Sequence, residues 1–484
     1  MEETRKNGML VDVDEFPKSW GQATILAIQH VLAMFVACIT VPLIVFSSYT
    51  TSDGANLAQL LIAPTIVSAG IGTLFYLFMT KFKSPMFLAS SFAYLSPMIS
   101  AVAIGFTDTG KPNLWLLPIG MAMVGLVYVI VAIIIKFCGV KWLNKLLPPL
   151  VIGPVIMVIG LGLAGSAINN LNNTASGTYN LLHILSGLVA MVVTGICAHY
   201  GKKTLSLIPF VVGMGAGYLF ALIITLIGYY GAGSEYCKIV DLSPIVNNFV
   251  DNNGFRGIQA FLDYPKFLFL FGNESQPLSL EGVAQAAMLF VPVSLVTICE
   301  HIGDHENMSG VIQKNLLEEP GLSRTLIGDG VATAISGGLC GAANTTYGEN
   351  VAVVGVSKVA STKVIAMACG IAILLGFLSP LMAIVQTIPG CICGGVSLVL
   401  YGFIASSGVK ILMANKIDMG ATKSIFVAST ILVAGIGGLA INFSIGQVAF
   451  SISSTAVAMI LGIIMNVILR DKKEDKPAAP AEGE

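Results

Sequence analysis

Charge is what this sequence has least of. Only 11% of its 484 residues are Asp, Glu, Lys or Arg, against roughly 25% in soluble domains. Too few charges are available to cover a water-facing surface, so water is not the solvent for most of the chain. An excess of one sign is missing as well: 25 Lys and Arg stand against 26 Asp and Glu, a formal net charge of -1. That balance excludes a global field for nucleic acid. Metal-ligand spacing such as His-Glu-x-x-His is absent, and no nucleophile has an evident neighbouring base. No metal, no cofactor and no catalytic residue are therefore expected. The nine cysteines are scattered, and Cys38, Cys197, Cys299, Cys340 and Cys369 fall in apolar stretches. They read as small packing residues rather than disulfide partners.

What remains is 55% hydrophobic, with a mean hydropathy of +0.85. The apolar residues gather in windows of about 20, the length that crosses a hydrocarbon core at 1.5 Å per residue. The first window, Thr24 to Phe46, follows an acidic leader and lacks a small-residue cleavage site, so it reads as a spanning helix rather than a signal peptide. Breaks at Gly, Pro, Asn and charge predict helices near 24–47, 58–80, 86–105, 115–136, 147–166, 180–200 and 204–229. A second set is predicted near 282–302, 326–342, 350–357 with its flanks, 364–385, 390–411, 424–442 and 447–469. The expected class is an all-α polytopic membrane protein of fourteen segments. With the N-terminus in the cytoplasm, all but Lys111, Lys238, Arg256 and Lys266 of the 25 basic residues fall on the inner side, as the positive-inside rule asks. Both termini are then cytoplasmic.

Seven segments per half would place the halves upside down relative to each other. Order-preserving echoes agree: Gln29-His30 with Glu300-His301, Ser90-Ser91-Phe92 with Thr345-Thr346-Tyr347, and Pro148-Pro149 and Gly153 with Pro389-Gly390 and Gly394. The third and tenth segments carry small polar residues and an aromatic where a continuous apolar helix belongs. Irregular backbone at membrane depth survives only where protein or a wet cavity satisfies it, and matched interruptions in two halves point to a transporter's substrate site.

Most acidic residues lie in loops and tails, but Glu300, Asp304, Asp329 and Glu349 fall within or beside apolar segments. An acid at a helix centre costs about 2.5 to 3.5 kcal/mol on insertion scales, so it is kept for a partner or a use. Glu300 and Asp304 are one helical turn apart on one face. Glu300 either ends its helix at the interface or looks into a cavity, and Asp304 either joins it or sits among solvated charges. Glu349 in Asn344-Thr345-Thr346-Tyr347-Gly348-Glu349-Asn350 marks the N-terminal approach to a half-helix, where free amides and the dipole face an acceptor. Asp329 either caps the ninth helix or shares the site. A planar nucleobase suits such a place, because its ring N–H groups donate to carboxylates while Phe92 and Tyr347 offer aromatic faces. Desolvation favours the protonated form of an acid, and a second acid nearby favours it further, so one of Glu300 and Glu349 is expected to carry a coupled proton.

The run Asn344 to Asn350, with Glu300-His301-Ile302-Gly303 and Gln29-His30, resembles the bacterial uracil permeases of the nucleobase-ascorbate transporter family from about Ser19 to Arg470. The resemblance implies two inverted seven-span repeats, with short strands breaking spans 3 and 10. It also implies a division into a leader (1–18), core spans 1–4 (19–146), gate spans 5–7 (147–230), an outer connection (231–281), core spans 8–11 (282–388), gate spans 12–14 (389–470) and a disordered tail (471–484). By the same resemblance Glu300 and Glu349 bind the base through their carboxyls, Phe92 and Gly348 through backbone amides, and Ala37, Ser91, Tyr347 and Tyr401 line the pocket. Asp304 and His30 join the two Glu residues in proton coupling, supported by Gln29, Asn350 and Asp329. The implied activity is uracil:proton symport by alternating access in a bacterial inner membrane, by a homodimer joined through the gate domain. Asp304 stands where uracil permeases often carry His and xanthine and urate relatives often carry Asp, so a purine base is the alternative. Ala352 and Ser357-Lys358 also depart from the usual Gly and Thr-Arg. An anion transporter of the same inverted fold and a membrane enzyme using paired carboxylates are the other classes weighed.

Overall fold

The computed structural model describes residues 8–46, 48–52, 56–174, 177–202, 205, 208–251, 254–267, 274–445 and 448–469. Part of the leader, part of the Phe267 to Phe271 run and the tail from 471 lie outside the described residues. The described chain is mainly helical: α1 (Trp20–Phe46), α2 (Leu57–Met79), α3 (Leu95–Ala103), α4 (Leu116–Cys138), α5 (Pro149–Gly162), α6 (Ala164–Asn172), α7 (Leu181–Tyr200), α8 (Pro209–Ile224), α9 (Leu280–Ile312), α10 (Leu322–Gly338), α11 (Gly348–Ser357), α12 (Thr362–Phe377), α13 (Ser379–Gln386), α14 (Gly390–Ala414), α15 (Thr422–Ile436) and α16 (Ser454–Ile468). Eight of the described helical stretches are long and apolar enough to cross a membrane, and α12, α15 and α16 are shorter apolar helices. The chain is a multi-pass membrane protein.

Helix starts follow from local chemistry. Asn56, Asn180, Ser279 and Ser453 each accept a hydrogen bond from a first-turn amide of α2, α7, α9 and α16, satisfying donors that no earlier turn can. Pro149 and Pro209 open α5 and α8, where the missing N–H costs nothing.

Two groups of helices pack closely. In the first, α2 lies against α1, α10 and α12, and α4 lies against α9 and α10; in the second, α14 lies against α5, α6 and α7, and α15 and α16 lie against α5. Small residues set the spacing, as in other membrane bundles. A Cβ on Gly125 of α4 would come within 2.7 Å of the Gly330 carbonyl of α10, and one on Gly153 of α5 within 2.9 Å of the Gly408 carbonyl of α14.

The segments expected to break are broken. Strand β1 (Leu88–Ser90) precedes α3, and β2 (Asn344–Thr346) precedes α11. They pair antiparallel with Ala89 opposite Thr345. Ser91 N–H donates to the Ala343 carbonyl at 2.7 Å and Tyr347 N–H to the Phe87 carbonyl at 3.0 Å, carrying the ladder past both ends. Each extended segment alone would leave buried amides and carbonyls unpaired; together they close the account.

Three expectations are corrected. The helix bearing Glu300 does not stop near 302 but runs on to Ile312. Asp329 is not a cap, since α10 begins seven residues earlier at Leu322. The predicted helices 424–442 and 447–469 end and begin differently: α15 stops at Ile436, α16 starts at Ser454, and a hairpin of β3 (Ile441–Ile445) and β4 (Val448–Ile452) lies between. The sequence alternates polar and apolar residues through Ile441-Asn442-Phe443-Ser444, a period of two that apolar content alone hides.

Candidate functional site

Helix α9 presents two different stripes to its surroundings. Glu300 and Asp304 form one, both half-buried. His301 and His305, each shifted by one residue, form the other and are fully buried. The histidine stripe anchors the helix. His301 Nδ1 lies 2.7 Å from Asp329 Oδ2 on α10 and its Nε2 3.0 Å from Thr325 Oγ1. The His305 ring stacks on that of His301 with centroids 4.1 Å apart. Its Nδ1 faces the His301 carbonyl at 2.7 Å and, since a carbonyl only accepts, carries the hydrogen. The Tyr76 hydroxyl of α2 lies 2.6 Å from His305 Nε2 and 2.8 Å from Ser84 Oγ.

With its back held this way, α9 turns its acids toward β2 and the start of α11. Asp304 Oδ2 accepts from Thr346 Oγ1 at 2.7 Å. Glu349 sits in the first turn of α11, where a carboxylate is favoured by the free amides and the dipole. Glu300 interacts electrostatically with both Glu349 and Asp329. Three acids from two distant stretches of chain therefore gather at one end of the β1–β2 ladder. Gly348 approaches closely: a Cβ there would lie 3.4 Å from Asp304 Oδ1.

The remaining sequence candidates surround this point. Asn350 Nδ2 donates to His30 Nδ1 at 2.9 Å and to the His30 carbonyl at 3.2 Å, tying α11 to α1. Gln29, His30 and Ala37 are buried on α1. Phe92 and Gly348 lie just beyond the strands rather than within them. The Phe92 ring meets Tyr401 of α14 edge to face at 6.0 Å, so an aromatic pair spans the two helix groups here. Ser91 and Tyr347 are buried in the ladder's continuation. His301, His305, Tyr76 and Thr346 were missed as site-supporting residues. The spacing His301-x-x-x-His305 within an apolar helix was the available signal, because two imidazoles one turn apart need two buried partners.

The Permease family profile matches residues 21–443. The chain is 39% identical to the "Uracil permease" of Bacillus caldolyticus over 96% of this chain and 95% of that one, and 38% identical to the "Uracil permease" of Bacillus subtilis (strain 168) over 95% and 94%. It is 32% identical to the "Uracil permease" of Escherichia coli (strain K12) over 92% and 90%. Among solved structures, the transmembrane domain of the cyanobacterium bicarbonate transporter BicA matches with a TM-score of 0.59 at 11% identity, covering 94% of this chain and 99% of that one. Murine Solute Carrier 26 family member A9, an anion transporter in the inward-facing state, matches with a TM-score of 0.59 at 10% identity, covering 94% and 69%. Those two likenesses concern the fold alone. The sequence match over most of the chain, on a multi-pass helical frame whose paired strands meet a half-buried acid, makes this protein a member of the permease family.

Proposed function

We propose that the protein is a transporter, not an enzyme, and that it imports uracil across the bacterial inner membrane by proton symport. The curated relatives named uracil permease, at 32% to 39% identity over nearly their whole length, support uracil as the cargo. One structural observation carries the mechanism: Asp304 of α9, one turn beyond Glu300, accepts from Thr346 of β2, three residues before Glu349 in the first turn of α11. A carboxylate accepts from a ring N–H, and a protonated carboxyl donates to a ring carbonyl. Two acids facing one pyrimidine thus read its alternating edge and hold one transferable proton between them. Phe92 and Tyr347 supply faces for the ring, Ser91, Ala37 and Tyr401 its walls, and backbone amides at Phe92 and Gly348 its further donors. Gln29, His30, Asn350 and Asp329 hold these groups in place. An anion would meet like charge here, which favours a neutral base.

Fourteen spans in two inverted halves complete the proposal, with core spans 1–4 and 8–11 moving against gate spans 5–7 and 12–14. The packing of α1, α2 and α4 with α9, α10 and α12, and of α5 to α8 with α14 to α16, supports this division. The distribution of basic residues supports cytoplasmic termini, and the gate group is the proposed dimer surface. The test is uptake of radiolabelled uracil into proteoliposomes with and without an inward proton gradient. Glu300→Gln and Glu349→Gln are each expected to lose concentrative uptake. Unimpaired gradient-driven uptake in both variants would overturn the assignment, and suppression of uptake by excess xanthine would move the cargo to the purines.

A further inference from the structure

The hairpin β3–β4 was absent from the sequence reading, and it roofs a cavity that the central site does not use. Its register places Asn442 opposite Ser451 and Ile441 opposite Ile452. Cross-strand partners share a face and strand neighbours alternate, so Asn442, Ser451 and Ser444 lie together on one side and Ile441 and Ile452 on the other. The polar side borders a cavity of about 350 Å³, whose opposite wall is Ser100 of α3 and Gln285 of α9, with Ile104 and Leu289 between; Phe443, from the alternate face of β3, also lines it. Four elements thus bring amides and hydroxyls to one space.

The cavity stands over the central site rather than within it. Leu289 and Glu300 are eleven residues apart on α9, close to three whole turns, so they share a face about 16 Å apart. One base cannot touch both. On the other wall, Ser100 lies on α3, eight residues after Phe92. No Lys, Arg, Asp or Glu lines the cavity itself, which suits a neutral ligand; Glu281, one turn before Gln285, accepts from the Gln285 amide nitrogen at 3.4 Å. The amide of Asn442 carries a donor and an acceptor, matching the N–H and C=O of a cyclic imide, the Gln285 amide stands on the facing wall, and the volume falls in the range of about 300–1,000 Å³ usual for small-molecule pockets.

We propose that this cavity is a second binding site for the transported base, an outer vestibule that captures it before it reaches the carboxylates, with the hairpin as its roof. The inference rests on the uracil reading above and on the placing of the start of α9 on the outer side.

The test is the kinetics of uracil uptake by right-side-out proteoliposomes. Loss of one amide pair is expected to raise KM about five-fold, within the range set by net hydrogen-bond energies, and to leave Vmax unchanged. Asn442→Leu probes the hairpin and Gln285→Leu probes the helix wall, so that a folding defect in one leaves the other readable; Asn442→Gln should restore most of the parental KM. An unchanged KM in both Leu variants, or a fall in Vmax alone, would overturn the vestibule. The parent protein is assayed first with uracil and with xanthine. If it carries xanthine instead, the cargo assignment fails and the vestibule comparison is made with that base; if it carries neither, both proposals fall.

Discussion

The His301–Asp329 pair offers the sharpest test of how the site is held. Both side chains are wholly buried and Nδ1 and Oδ2 are 2.7 Å apart. Removing one member of such a pair strands the other in a medium that solvates it poorly, at a cost of about 3–5 kcal/mol; replacing both by apolar groups of similar size costs far less. Asp329→Leu alone should therefore destabilise the protein by about 3 kcal/mol or more, and His301→Phe alone by a similar amount. The Phe ring retains the stacking against His305. The double variant should recover much of the loss, giving a coupling energy of about 2 kcal/mol or more, well above the roughly 0.5 kcal/mol scatter of independent sites. The assay is SDS-induced unfolding of the purified protein in detergent micelles, followed by helical circular dichroism, in the parent, both singles and the double. If either single variant costs less than about 1 kcal/mol, or if the two losses simply add, the pair does not anchor α9.

Two further outcomes follow from the same geometry. Thr346→Val removes the hydroxyl that donates to Asp304 at 2.7 Å; a hydrogen bond is worth about 0.5–1.5 kcal/mol net, so KM for uptake should rise about two- to ten-fold, and Thr346→Ser should restore it. At the surface, Lys83 beside Glu319 holds its carboxyl below the usual carboxylate range. A depressed acid adds stability that is present above its unfolded pKa and lost as pH falls through the folded value, so Lys83→Met should weaken the protein by a constant, salt-sensitive amount at neutral pH, and the difference should vanish in acid well below roughly pH 4; a difference that grows in acid would contradict the pairing.

Much of the architecture was legible in the residues. Windows of apolar length located α1, α2, α4 and α7 to within a few positions, because the bilayer imposes one length on every crossing helix. The motif around Glu349 predicted a helix start, and the family resemblance a short strand before it; β2 followed by α11 is what occurs. The acids themselves were conspicuous because Glu300, Asp304, Asp329 and Glu349 fall within or beside apolar segments rather than in loops and tails. The hairpin was not legible: its apolar residues, Ile441, Phe443, Ile445 and Ile452, read equally well as the ends of two spanning helices. Asp329 also kept two readings open, since nothing in Gly328-Asp329-Gly330 says whether a helix begins there or is already under way.

The sequence by itself determined that the chain lives in a bilayer, where most of its long apolar helices fall and which acids are out of place there, because hydration cost depends on each segment's own composition. Only the tertiary structure decided which partner each buried polar group takes. His301 finds Asp329, His305 finds Tyr76 and β1 finds β2, across separations that no local pattern encodes. These pairings exist because every donor and acceptor taken from water must be met by another, and which one is met depends on how the helices stack.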